Sequence, residues 1–360
     1  MTGFALYRFP YEQQVTLLAQ TSGEPIELSS CEALNGRSGF VVAPFEITPH
    51  CPVVLIRPDS VQTFSNAEEL DHLDNLDILE HLEHLDNIES LSRTTYADDF
   101  RQFFIPLETG TFRKIVLSRC AISRRLPDDQ PLQLFRKACI RYPRLFVSLV
   151  YTPKSGLWLT ATPEILLEGV AGQWRTIALA GTMKLEGELL KGEGEQVAWS
   201  TKNIQEQRYV ATYLSGCLKR FANDVREEGP RTVRAANLVH LRSDFTFTLL
   251  DSARVGTLLQ ALHPTPAVCG LPKEETFRFI LANEHTPRRY YSGFMGPLNM
   301  ASATRLYVSL RCMQITADHY RMYAGGGLLN DSVEEQEWLE TEAKLETMRM
   351  ILHDSDTISE

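Results

Sequence analysis

The stretch 145–182, LFVSLVYTPKSGLWLTATPEILLEGVAGQWRTIALAGT, sets the fold class, because its apolar runs follow one another with no helical period between them. Residues 145–151 and 174–180 read as strands, and 156–164 reads as a strand running into a Pro163–Glu164 turn. Each run is short, apolar and closed by Gly, Pro or a charge. Working outward, 114–119, 237–241, 305–311 and 319–324 read as further strands. Helical periodicity marks 98–109, 131–142, about 195–221, a segment around 256–262, one starting at Lys273, and 334–344. Adjacent strands punctuated by single long helices predict an α+β fold with antiparallel sheets rather than a repeating βαβ unit. Residues 1–65 alternate short apolar runs with Pro and Gly, again as strands with turns do.

The composition, 43% apolar and 23% charged, is ordinary for a globular chain. The start, Met1-Thr2-Gly3-Phe4, lacks the basic and apolar regions of a signal peptide, and no run approaches the roughly 18 apolar residues of a membrane span. A soluble cytoplasmic protein without membrane partners is therefore expected. Seven scattered cysteines without C-x-x-C spacing predict apolar packing, not disulfides or zinc. The net charge of −10 is concentrated in residues 67–91, which hold nine acids and no Lys or Arg. The near-neutral remainder argues against nucleic-acid binding. Within 67–91 an apolar residue recurs at every third position, a period that drifts about 60° per repeat around an α-helix, so the segment reads as an acidic low-complexity insertion or linker. His72, His81 and His84 lie in it without a spacing that fixes a metal geometry. No Gly-rich phosphate fingerprint follows a strand.

The charged residues outside that segment offer more chemistry. On the last helix Glu337, Glu340 and Lys344 share one face, an arrangement suited either to solvation or to a metal-bound anion. Gly325 to Gly327 read as the turn that enters this helix. Lys114 on a strand, Glu164 after a Pro turn and Glu206 on the long helix could join that face in a metal-assisted acid/base site. Spacing leaves open whether they converge.

Ten segments taken in order resemble the chorismate-utilising enzymes: KIVLSR (114–119), ATPEILL (161–167), ALAGT (178–182), TKNIQEQ (201–207), LVHL (238–241), HPTPAVCGLP (263–272), YSGFMG (291–296), VSLRC (308–312), YAGGG (323–327) and EWLETEAK (337–344). The resemblance covers roughly 96–352. It implies a single large domain of stacked antiparallel sheets flanked by helices, with residues 1–65 as divergent N-terminal strands. Lys114 stands where family members that add water carry Lys and ammonia-using members have Gln. Ala180 stands where the aminodeoxychorismate branch has a nucleophilic Lys. Tyr209 occupies a position at which salicylate and anthranilate synthases generally have a second Glu. The implied activity is isochorismate synthase: water adds at C2 of chorismate and the C4 hydroxyl leaves, with Lys114 as base and Glu164 as acid. The resemblance further implies Mg²⁺ held by Glu206 and Glu340 with Glu337 close by. It places Gly181, Thr182, His240, Ala267, Tyr291, Arg311, Gly325 and Lys344 around the substrate. No glutaminase subunit is expected, since water is the nucleophile, and the oligomeric state is left open. The rival readings are a salicylate synthase, which would go on to eliminate pyruvate, and a catalytically idle protein recruiting a basic partner through 67–91.

Overall fold

The computed structural model describes residues 1–72, 82–84, 90–126, 129–184, 198–235 and 238–352. Stretch 145–182 becomes four strands: β8 (Phe146–Thr152), β9 (Gly156–Thr162), β10 (Ile165–Val170) and β11 (Gln173–Lys184). The extra strand β10 exists because Ala171 and Gly172, both at positive φ, close a two-residue hairpin onto β11. Ile165, Leu166 and Leu167 are buried as it pairs.

These four strands belong to two antiparallel nine-stranded sheets. The first runs β14 (Gly270–Leu271), β7 (Lys114–Arg124), β18 (His319–Leu328), β17 (Cys312–Ile315), β9, β8, β1 (Gly3–Arg8), β2 (Val15–Gln20) and β6 (Ser60–Phe64). The second runs β12 (Ala222–Ala235), β13 (Leu238–Leu249), β11, β10, β16 (Ala303–Val308), β15 (Phe294–Leu298), β4 (Gly39–Ala43), β5 (Val53–Ile56) and β3 (Ile26–Leu28). The chain crosses from one sheet to the other at Pro163–Glu164, between β9 and β10. This crossing puts Glu164 between the layers.

The sheets face each other across a core containing Tyr7, Phe40, Phe146, Trp158 and Tyr307. Phe146 of the first sheet stacks on Tyr307 of the second with ring centroids 4.1 Å apart, a contact worth about 0.5–1.5 kcal/mol beyond its buried area. Helices α2 (Pro131–Arg141) and α6 (Glu334–Leu352) cover the outer face of the first sheet with Phe135, Leu345 and Met348. Helices α3 (Thr201–Leu218) and α4 (Val255–Leu262) cover the second with Leu214 and Leu259. Helices α1 (Arg93–Glu108) and α5 (Lys273–Asn283) close the β7 end through Phe103 and Ile280.

Several boundaries differ from the sequence reading for identifiable reasons. Helix α1 starts at Arg93 because Ser92 caps it, its hydroxyl accepting from the Thr95 amide at 3.0 Å. Helix α3 starts at Thr201 under a Ser200 cap rather than near 195; residues 195–197 lie outside the described residues. Strand β13 runs to Leu249, far past 241, because β12 pairs along it; β12 is mostly exposed and charged, so its sequence lacks the alternation that marks a strand. The largest correction concerns Gly325 to Gly327. They are not a turn but the C-terminal part of β18, paired with Ser118, Leu117 and Val116 of β7.

Of the acidic segment, Ala67–His72 forms a short 3₁₀ turn, Ala67, Leu70 and Leu82 are buried in the core, and the exposed His84 lies 2.8 Å from Asp318. Residues 73–81, His81 included, and 85–89 lie outside the described residues. The seven cysteines are free thiols and six are buried, as expected for packing residues. Among the described residues no helix is long and apolar enough to cross a membrane.

Candidate active site

A cleft lies where β7, β18, β11 and the Pro163–Glu164 crossover come together. Its floor is the glycine strand. A methyl group on Gly325 would meet Tyr291 Oη at 2.8 Å, and one on Gly327 would meet Glu206 Oε1 at 2.2 Å and Lys114 Cε at 2.9 Å. The glycines are thus required by close approach, so that side chains from other elements can reach the cleft across the strand.

Lys114, the first residue of β7, is completely buried, and its Nζ stands 3.0 Å from Glu206 Oε1 without aligned hydrogen-bond geometry. Glu206 comes from α3 and also accepts the Gly181 amide at 3.2 Å. Burial pushes the Glu206 carboxyl up, but Lys114, Lys202 and Lys344 outweigh it and hold it below the usual range. Glu164 lines the cleft and is 4% exposed. Burial lifts its carboxyl to about 8 despite the opposing pull of Lys114, Lys344 and Arg311.

His240 of β13 also lines the cleft. Burial first, and then the charges of Arg311 and Lys344, hold its imidazole well below the usual range, so it is neutral. Its Nδ1 faces the Gly181 carbonyl at 3.2 Å and its Nε2 faces Arg311 Nη2. Since a guanidinium only donates, the hydrogen-bond network assigns the ring proton to Nδ1, donating to Gly181, with Nε2 accepting from Arg311. Arg311 sits just before β17 at φ 46°, a left-handed backbone position uncommon for a residue with a side chain. It is 5% exposed, and its Nη1 donates to the Ala235 carbonyl at 3.2 Å. Tyr291 stacks on Tyr323 with centroids 5.3 Å apart, and Lys344 of α6 donates to the Gly325 carbonyl at 2.8 Å and to Glu340 at 2.7 Å. Thr182 and Ala267 complete the rim.

Glu337 and Glu340 do not line this cleft. They share a neighbouring recess with Lys202 that meets the cleft at Thr182. Each of the three acids is turned to a lysine: Glu206 to Lys114, Glu337 to Lys202, and Glu340 to Lys344. Among the described residues no three His, Cys, Asp or Glu side chains form a metal-ligand cluster. Glu337 nevertheless keeps one buried oxygen, Oε2, without a hydrogen-bond partner. Burial, and then Glu340 beside it, push its carboxyl up to about 7. An orphaned carboxylate oxygen next to a second carboxylate fits a hard divalent cation such as Mg²⁺, which takes one or two protein carboxylates and completes its shell with water and substrate oxygens.

The sequence reading missed two kinds of residue. Lys202 shares helix α3 with Glu206, but nothing in its spacing announces Glu337, 135 residues away, as its partner. Val116, Leu179 and Leu310, the apolar walls, look like any strand residue until the sheets are assembled. Ala180 lines the cleft as expected, so no lysine nucleophile is present at that position.

Comparison with known proteins agrees with this architecture. A family model described as "Chorismate binding enzyme" matches residues 50–353. The salicylate biosynthesis isochorismate synthase of Pseudomonas aeruginosa is 32% identical over 248 residues, covering 68% of this chain and 51% of that protein. The isochorismate synthase DhbC of Bacillus subtilis is 30% identical over 269 residues, covering 70% of this chain and 66% of the relative. The matched stretches thus span about half of the first relative and just under two thirds of the second. The solved structure of MenF, the menaquinone-specific isochorismate synthase of Escherichia coli, superposes with a TM-score of 0.80 at 18% identity, covering 98% of this chain and 89% of that one, and so shares its fold. With most of its length matched by the family model, the chain belongs to the chorismate binding enzyme family.

Proposed function

We propose that the chain is an isochorismate synthase acting on chorismate, adding water at C2 and releasing the C4 hydroxyl. The observation that carries this reading is Glu164, a buried carboxyl that keeps its proton at neutral pH in a cleft it shares with Arg311, Lys344, Glu206 and a neutral imidazole. A hydroxyl leaves poorly unless protonated, and such a carboxyl is the acid for that step. Lys114 is the base that takes a proton from water; it does so as the neutral amine, so the ammonium paired with Glu206 has first to give up a proton. Arg311, held in orientation by His240, presents a planar fork to one substrate carboxylate, and Lys344 answers the other. The apolar walls exclude bulk water around the ring. Glu337 and Glu340, with Glu206, are the residues that would hold Mg²⁺. When bound, the ion would supply charge neutralisation for a dianionic substrate entering among carboxylates.

Product analysis of chorismate incubated with the protein, with and without Mg²⁺, tests the proposal. Isochorismate formed only with Mg²⁺ is the expected outcome. Salicylate as the main product would assign the chain to the pyruvate-eliminating activity instead, and unconsumed chorismate would refute catalysis altogether.

A further inference from the structure

We propose that the buried ion pair Glu284–Arg288 is a positioning device that takes the place of a neighbouring strand along β7 and thereby sets where the Lys114 strand and the Ala267 loop stand relative to each other. The proposal rests on the reading of Lys114 as a catalytic base. On one side β7 is paired with β18 from Ile115 to Arg124. On the other, β14 pairs only Lys114 and Ile115, and the ladder then stops. The next outward-facing backbone groups, the Val116 carbonyl and the Ser118 amide, sit in the interior beside the cleft, where an unmet hydrogen bond is costly.

The ion pair meets both. Arg288 Nη2 donates to the Val116 carbonyl at 2.8 Å, and Glu284 Oε1 accepts the Ser118 amide at 2.7 Å. Arg288 Nη1 donates at 2.6 Å to the Val268 carbonyl, next to Ala267, so one planar guanidinium grips strand and loop together. Arg288 is tied to Glu284 through Nε at 2.6 Å and Nη2 at 2.7 Å, and its guanidinium lies 4.3 Å over Phe45. Both side chains are almost fully buried, at 2% and 3% exposure. Val116 and Val268 line the cleft, and Lys114 lies two residues before Val116. Neither charged side chain lines the cleft, so the pair acts through the backbone it holds.

The double variant Glu284→Met/Arg288→Met removes both charges together, leaves neither stranded and takes away the acceptor of the Ser118 amide. Its kcat for isochorismate formation is expected to fall about 100-fold, the scale of a misplacement near 1 Å, with KM changed less than about fivefold. Hydrogen exchange at the Ser118 amide should accelerate at least about tenfold while β18 amides at 319–324 keep their protection. Arg288→Lys, which keeps the charge but lacks the fork, should fall between parent and double variant. A folded double variant with kcat within about threefold of the parent overturns the proposal. So does faster exchange spread evenly over β7 and β18, which marks general destabilisation. If the double variant does not fold, Arg288→Lys decides, and unchanged kcat in it overturns the proposal. A parent protein that forms no isochorismate refutes the functional reading instead, and the Ser118 exchange measurement still decides whether the brace exists.

Discussion

Glu164 illustrates how much a single position draws from its surroundings. As a carboxyl after a proline it would titrate near 4.5, but at the crossover between two sheets it is lifted to about 8. Two consequences can be measured. The rate should fall along an alkaline limb near pH 8, where Glu164 releases its proton, and Glu164→Gln and Lys114→Ala should each lower kcat by roughly 10²- to 10⁴-fold without unfolding the protein. Stability should respond with a definite sign. The folded protein retains a proton that the unfolded carboxyl has lost, so stability falls as pH rises from about 4.5 to about 8 and then levels. The scale is on the order of 1.4 kcal/mol per unit of displacement, reduced by the openness of the cleft. Glu164→Gln, a neutral isostere, should therefore melt like the parent near pH 5 and above it at pH 9. Identical pH dependence of melting in the two proteins would show that Glu164 does not carry this proton.

At the scale of elements, the cleft depends on a strand that does little but stay thin. Gly327→Ala would drive a methyl group into Glu206 and Lys114, and the crowding should cost about 1–3 kcal/mol and remove most activity. Denaturant melts and product assays on this variant check both. The opposite device holds α6 against β7. Arg119, 2% exposed, donates to Thr341 Oγ1 at 2.7 Å, pairs with Glu342, and lies 3.8 Å over the Trp338 ring. This contact sets the helix bearing Glu337, Glu340 and Lys344 relative to Lys114. Arg119→Met should cost about 1–3 kcal/mol in a urea melt, because Glu342 and Thr341 lose a partner.

For the whole molecule, the two-sheet stack is the framework, and its stability offers a test of the proposed Mg²⁺ site. An ion that binds only the folded protein stabilises it by about 2.7 kcal/mol at a hundredfold excess over its Kd. Mg²⁺ should raise the melting temperature of the parent and not that of Glu337→Gln/Glu340→Gln. Equal shifts in both would place the ion elsewhere. The acidic segment is tied into the same framework by Leu70 and Leu82. Leu70→Ala should cost about 2–5 kcal/mol and leave the kcat of the folded fraction unchanged, since Leu70 is a core residue that does not line the cleft.

Family membership and the chemical inventory were legible in the chain itself, because motif order and side-chain type are properties of the sequence. So was the α+β class, since strand succession shows in apolar runs such as 145–151 and 174–180. The role of the glycine run was not, because whether Gly325 to Gly327 form a turn or a floor depends on Glu206, Lys114 and Tyr291 arriving from other elements. Nor was β12, whose exposed charges hide a strand that only β13 reveals. The proton on Glu164, the neutral His240 and the pairing of each acid with a lysine follow from burial and from neighbours such as Arg311 and His240, 71 residues apart. Charge states of this kind belong to the folded arrangement. Local sequence specifies which groups exist, and long-range packing sets their solvation and their partners.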